Sequence, residues 1–139
     1  MRVILDTNVV VSGVFFGGVP GRILSAWSAE KLVLVLSPGI LEEYRRVGHE
    51  LGRQHPEVGA TFEPILTLLA MNAMIIDAPP LAAPVSDDPD DDMFLAAAVA
   101  SRTPLIVSGD RHLLRVSGWR GVDVLTPRQF VDQHLVADS

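Results

Sequence analysis

The sequence predicts an α/β fold: a three-layer α/β/α domain built on a central parallel sheet of four or five strands. Three observations carry this. Short aliphatic runs recur without polar alternation, the pattern of strands buried on both faces. Helical segments fall between those runs, so strands are joined by right-handed crossovers. The 139 residues suit one core, and a single domain over 1–139 is expected.

In chain order, "RVILDT" (2–7) is the first strand. "GVFFGGVPG" (13–21) reads as a flexible turn, because it lacks the lysine and Ser/Thr of a phosphate-binding loop. "PGRILSAWSAE" (20–30) is the first expected helix, with Leu24 and Trp27 spaced as core or dimer contacts. After the strand "KLVLVLS" (31–37), Ser37 and Pro38 mark the start of a helix over 37–51, as cap and first helical residue. A third helix covers 57–71, where Pro64 threatens a break. "NAMIID" (72–77) fits a fifth strand or the tail of that helix. A Pro-rich connector (77–91) leads into the alanine-rich helix "DDMFLAAAVASR" (91–102). The strands "TPLIVSGD" (103–110) and "GVDVLT" (121–126) and a helix over 127–136 complete the chain, with no internal repeat.

Composition removes several classes. A hydrophobic content of 48% excludes whole-chain disorder. No apolar run reaches the roughly 18 residues of a membrane span. "MRVILDTNVVVSG" is a poor signal peptide, and the absence of cysteine excludes a disulfide framework or thiolate metal site. These features fit a cytoplasmic protein. A net charge of −6 argues against nucleic-acid binding by bulk electrostatics. The exception is an acidic site that carries divalent cations and so inverts the local field.

Such a site is what the acids suggest. Ligands of a parallel sheet bind beyond the carboxyl ends of its strands. Asp6 ends the first strand and Asp110 ends the strand "PLIVSG"; "SDDPDDD" opens the helix feeding that strand, and Glu42 and Glu43 open the helix after "LVLVLS". All four segments meet at one rim. Crowded carboxylates raise one another's pKa and oppose folding unless neutralised. Hard divalent cations, Mg²⁺ or Mn²⁺, suit an all-oxygen site and reach on to phosphate oxygens. A calcium EF-hand fails, because Met93 stands where the loop needs glycine and Val99 where it needs glutamate.

Helical angles choose among neighbouring acids. Phe94, Leu95 and Val99 define a face with Asp91 near its centre; Asp92 lies to one side, a natural control, and Asp90 is nearly opposite. Glu43 borders the face of Ile40, Leu41, Tyr44, Val47 and Leu51, whereas Glu42 points away, able to pair with Arg46 at i+4. Arg45 and Arg46 otherwise read as a solvated face. His49, His55, His112 and His134 show no metal-ligand spacing and read as surface histidines.

"VILDTNVVVSG", "SPGILEEYRRV", "DPDDDMFLAAAVA" and "LIVSGDRHLL" resemble, in order and spacing, the successive motifs of PIN-domain nucleases. The likeness is closest to bacterial toxin components of toxin–antitoxin pairs (VapC-like), and extends to "VLTPRQFV". The resemblance implies a Mg²⁺- or Mn²⁺-dependent ribonuclease whose catalytic, metal-holding acids fall on Asp6, Glu43, Asp91 and Asp110. It implies supporting roles for Asn8, beside the first acid, and Ser108, where threonine is usual. Asp88 matches a recurring acid that either caps the loop or supports the metal. His112 stands where relatives often carry another aspartate, which bears on how firmly a second metal is held. An RNA substrate, an antitoxin partner and a homodimer through "FFGGVPGRILSAW" are the implied associations.

Three alternatives compete. A PIN-fold RNA-processing nuclease without an antitoxin would share every motif. A haloacid dehalogenase-type phosphatase needs D-x-D after strand one, where this chain has Asp6, Thr7, Asn8, and a well-placed lysine, whereas Lys31 begins a strand. A non-catalytic partner-binding module would be expected to have lost some of the acids.

Overall fold

Five parallel strands form the centre of the computed structural model, which describes residues 1–135. β1 (Arg2–Leu5), β2 (Val33–Leu36), β3 (Met74–Ile75), β4 (Leu105–Val107) and β5 (Asp123–Leu125) lie in the order β3-β2-β1-β4-β5. Leu5 is level with Val107, Val107 with Leu125, and Leu36 with Ile75, so the carboxyl ends share one edge. Val3, Ile4, Leu34, Leu36, Ile106 and Val107 are all essentially inaccessible, as continuous apolar strands between two helical layers should be. "NAMIID" does supply the fifth strand, two residues long at the sheet edge.

The strand order reverses between β1 and β4, the switch point at which a parallel sheet opens a crevice. Two helices that sequence periodicity did not show stand at that edge. α1 (Thr7–Phe15) follows β1 directly, turns at Gly17 (φ 72°), and meets α2 (Gly18–Ser28) at 95°. The run of β-branched residues at 9–11 hid α1, but Asp6 caps it and Val9, Val10 and Val11 are buried. The expected turn over 13–21 is therefore only the short corner between two helices. α6 (Arg111–Leu114) follows β4 in the same way, capped by Asp110.

α3 (Pro38–Gln54) and α4 (Pro56–Asn72) form an antiparallel pair beside α1. Pro64 does not break α4, because it is exposed and the Ala60 carbonyl that loses its donor also lies on the solvent side. The pair approaches closely through glycines: a Cβ at Gly48 would fall 2.0 Å from the buried Phe62 ring, and one at Gly59 would fall 2.9 Å from Gly52. Gly48→Ala should therefore cost roughly 1–3 kcal/mol by overpacking, read as a lowered urea midpoint. Gly109→Ala, with nothing within 4 Å of its Cβ, should stay within about 0.5 kcal/mol of the parent.

α5 (Pro89–Ser101) packs Phe94, Leu95, Ala97 and Ala98 into the core and ends at Arg102 in the left-handed region. Beyond β5, α7 (Pro127–Phe130) starts with Thr126 and Gln129 in a reciprocal capping box and continues as a π-turn to Leu135; position 136 of the expected last helix lies outside the described residues. Leu24 and Trp27 pack against the core at its margin. Among the described residues no single helix is long and apolar enough to cross a membrane.

Candidate metal centre

Asp6 stands at the head of the crevice, 5% exposed, with its N–H donating to the Val107 carbonyl at 2.9 Å. Its Oδ1 accepts the Thr7 backbone N–H at 2.8 Å, which caps α1, and its Oδ2 accepts the Ser108 hydroxyl at 2.6 Å. Burial raises the Asp6 pKa, the hydrogen bonds from Ser108 and Thr7 oppose the rise, and the charges of Asp110 and Glu43 add to it. The fully buried Ser108 hydroxyl also accepts the Asp110 N–H at 2.9 Å, so one side chain ties the acids of β1 and β4 together.

Glu43 reaches the same point from α3. Its Oε2 accepts the Thr7 hydroxyl, and its Oε1 lies 3.6 Å from Arg46. The next residue, Tyr44, is buried and donates its hydroxyl to the Leu5 carbonyl immediately before Asp6. Burial, with Asp6 and Glu43 nearby, pushes the Tyr44 pKa well above its ordinary value, so the hydroxyl stays a donor. Thr7 and Tyr44 thus set α3 against the end of β1. Sequence reading placed Tyr44 on the core face without its hydroxyl bond and assigned no role to Thr7.

Asp91 opens the second wall, on the first turn of α5, and is also 5% exposed. Its Oδ2 is buried without a hydrogen-bond partner. Burial first, then the charges of Asp110, Asp6, Asp88 and Glu43, raise its pKa to about 7. Asp88, Asp91 and Asp110 each bring an oxygen within 4.8 Å of the other two. Asp88 also accepts the Asp90 N–H at 3.0 Å, and Asp110 accepts the His112 N–H at 2.7 Å. Capping and clustering therefore coincide in both residues. A buried, partnerless carboxylate oxygen among hard donors fits a divalent cation that supplies the missing charge.

Asn8 is exposed on the first turn of α1. Glu42 is solvated as expected, but it pairs with Arg45 at i+3 (3.7 Å) rather than with Arg46, which Glu43 engages. Asp90 is exposed, whereas Asp92 is not the expected control: its carboxylate accepts the Val85 and Ser86 N–H groups at 3.1 and 2.8 Å, pinning the connector to α5. The His112 Nδ1 lies 3.7 Å from Asp87, which Arg115 also approaches at 3.6 Å. His49 meets Glu63, and His55 packs on Phe16 at 5.6 Å, so these histidines serve the surface of the fold. An apolar groove of about 370 Å³ runs between the connector and α5, lined in part by Leu81, Pro84 and Ala96. The chemistry-bearing groups converge in the crevice instead.

Comparison with known proteins agrees with this arrangement. The model of the PIN domain matches residues 2–112. The uncharacterized protein MJ1680 of Methanocaldococcus jannaschii is 28% identical over 144 aligned positions, covering 96% of this chain and 91% of the relative. The crystal structure of VapBC2 from Rickettsia felis bound to a DNA fragment from their promoter is similar in fold, with a TM-score of 0.56 at 14% identity, over 91% of this chain and 98% of that one. With a matched segment that runs from β1 into the start of α6, just past Asp110, the chain belongs to the PIN domain family, whose members are nucleases.

Proposed function

We propose that this nuclease is an endoribonuclease dependent on Mg²⁺ or Mn²⁺, acting as the toxin of a toxin–antitoxin pair. The observation that carries the metal reading is the buried, partnerless Oδ2 of Asp91 beside Asp88 and Asp110. In this reading Asp91 and Asp110 hold the cation with Asp6 and Glu43, directly or through water. Asp88, on the same turn as Asp91, supports or joins them. A cation bound there would supply the positive charge that lowers the pKa of water and offsets charge on the phosphate.

The chain's own groups then have distinct tasks. Ser108 holds Asp6 and the Asp110 backbone in one register, and Thr7 fixes Glu43 against α1. Asn8, exposed beside the acids, is available to orient a ligand. In-line attack of water on phosphorus, with the 3′-oxygen leaving, would yield a 5′-phosphate and a 3′-hydroxyl. Labelled RNA should be cut in Mn²⁺ and remain intact in EDTA. No turnover of p-nitrophenyl phosphate is expected alongside. RNA left intact at saturating Mn²⁺ would reject the reading.

The toxin assignment has support from the fold shared with VapBC2, and predicts an antitoxin encoded in the adjacent reading frame, with both proteins in the cytoplasm. A homodimer belongs to the same proposal. Phe16, 64% exposed at the α1–α2 corner, is the apolar residue most available for that contact. Light scattering should give twice the chain mass at high micromolar concentration, and Phe16→Ser should shift the equilibrium toward monomer. A monomer in the unsubstituted protein rejects the dimer.

A further inference from the structure

An acidic rim repels the polyanion it is meant to cut, so cations beside the acids must hold the flanking phosphates. We infer that Arg111 and Arg128 do this, binding the backbone of a single-stranded RNA laid across the carboxyl edge on the β4–β5 side. The inference rests on the ribonuclease reading and adds the substrate's path.

The register supplies the placement. Asp6 donates to Val107, and Ser108 donates to Leu125, so Asp6, Ser108 and Thr126 stand side by side on one edge. With strands about 4.8 Å apart, that row spans roughly 10 Å. Arg111 directly follows Asp110, and Arg128 follows Thr126 by two residues in the first turn of α7. Both lie on the edge that carries the acids.

Charge pairing separates these two from four of the other arginines. Arg2, Arg22, Arg102 and Arg120 also lack a carboxylate within 4.0 Å among the described residues, but none of them follows the carboxyl end of β4 or β5. Arg45, Arg46, Arg53 and Arg115 each lie within 4.0 Å of a carboxylate. Arg111 and Arg128 are exposed and, among the described residues, neither has an acid partner, although the chain has 17 acids and Asp110 is adjacent. A guanidinium can fork a phosphate with two hydrogen bonds. Arg128 also lies beyond the segment matched by the PIN domain model. A single strand is favoured because Asp91 is only 5% exposed: a flexible backbone can bend a phosphate into the crevice, whereas a duplex must be deformed to do so.

The test measures binding in an Asp91→Asn background, using a fluorescein-labelled 12-nucleotide single-stranded RNA in Mg²⁺ over a salt series. Arg111→Ala with Arg128→Ala should weaken binding about tenfold and flatten the log–log salt slope by about 1.4, since each single-strand phosphate contact contributes about 0.7. The paired Lys substitutions should retain most of that slope. Arg120→Ala, exposed before β5 on the opposite edge, should leave binding unchanged, and a 12-base-pair duplex should bind more weakly than the single strand. With Asp91 intact, the double Ala variant should raise KM while kcat is kept. Unchanged affinity and slope in that variant, while the parent still cuts RNA, overturn this inference alone. Weakened binding when the parent cuts nothing retains the track and rejects the nuclease reading. Equal binding of duplex rejects the single-strand assignment.

Discussion

Asp91→Asn is expected to reduce RNA cleavage by about a hundredfold or more while the domain stays folded. Loss of a partner that merely supports a metal ligand costs about 10–100-fold, and Asp91 is proposed as a ligand itself. The substitution is nearly isosteric, and its amide can donate toward Asp88 or Asp110, whose oxygens lie within 4.8 Å of an Asp91 oxygen. Asp6→Asn should be as inactive but less stable. Asparagine has one acceptor oxygen where Asp6 uses two, so it cannot accept both the Thr7 N–H at 2.8 Å and the Ser108 hydroxyl at 2.6 Å. The control is Asp90→Asn, exposed on the same turn. Asp92→Asn would instead weaken the anchoring of the connector at Val85 and Ser86. Single-turnover cleavage at saturating Mn²⁺ with matched circular dichroism measures all four. Full activity of Asp91→Asn would remove Asp91 from the metal site.

The parts of this site that were legible in the sequence are those that periodicity controls. Buried parallel strands announce themselves as unbroken aliphatic runs, so the ends of β1 and β4 placed Asp6 and Asp110 on one edge. The apolar face of α5 likewise pointed Asp91 inward. What the sequence hid depends on contacts between distant elements. Val9, Val10 and Val11 look like strand residues, and only packing against the sheet makes α1 a helix. Thr7 to Glu43 and Tyr44 to Leu5 are bonds across the α1–α3 and β1–α3 interfaces, separated by 36 and 39 positions, and no local pattern encodes them. Asp92 misled for the same reason, since its partners lie in an irregular connector. Helical angle alone could not foresee that Glu43 would take Arg46 and leave Arg45 to Glu42.

In EDTA, the protein should melt several degrees lower at about pH 8 than at about pH 5.5, and Mn²⁺ should reverse the order. The folded-state pKa of Asp91 is about 7, against 3.8 for an unperturbed side chain. Below the lower value the carboxyl is protonated in both states. Between the two, the folded chain holds a proton that the unfolded chain has lost, so stability falls as pH rises through the folded value. The raised pKa of Asp6 acts in the same direction. A cation takes the deprotonated form, so its stabilisation grows over the same interval. At a hundred times its dissociation constant a ligand of the folded state contributes about 2.7 kcal/mol, a shift of several degrees for a domain of this size. Asp91→Asn should melt higher than the parent in EDTA at about pH 8, show a shallower pH dependence, and gain less from Mn²⁺. Asp90→Asn should follow the parent throughout. The decisive comparison is the parent and Asp91→Asn at the higher pH, with and without Mn²⁺. Identical melting of the parent in both conditions would mean that no cation relieves the crowded acids, and an undiminished pH slope in Asp91→Asn would assign the buried proton to another group.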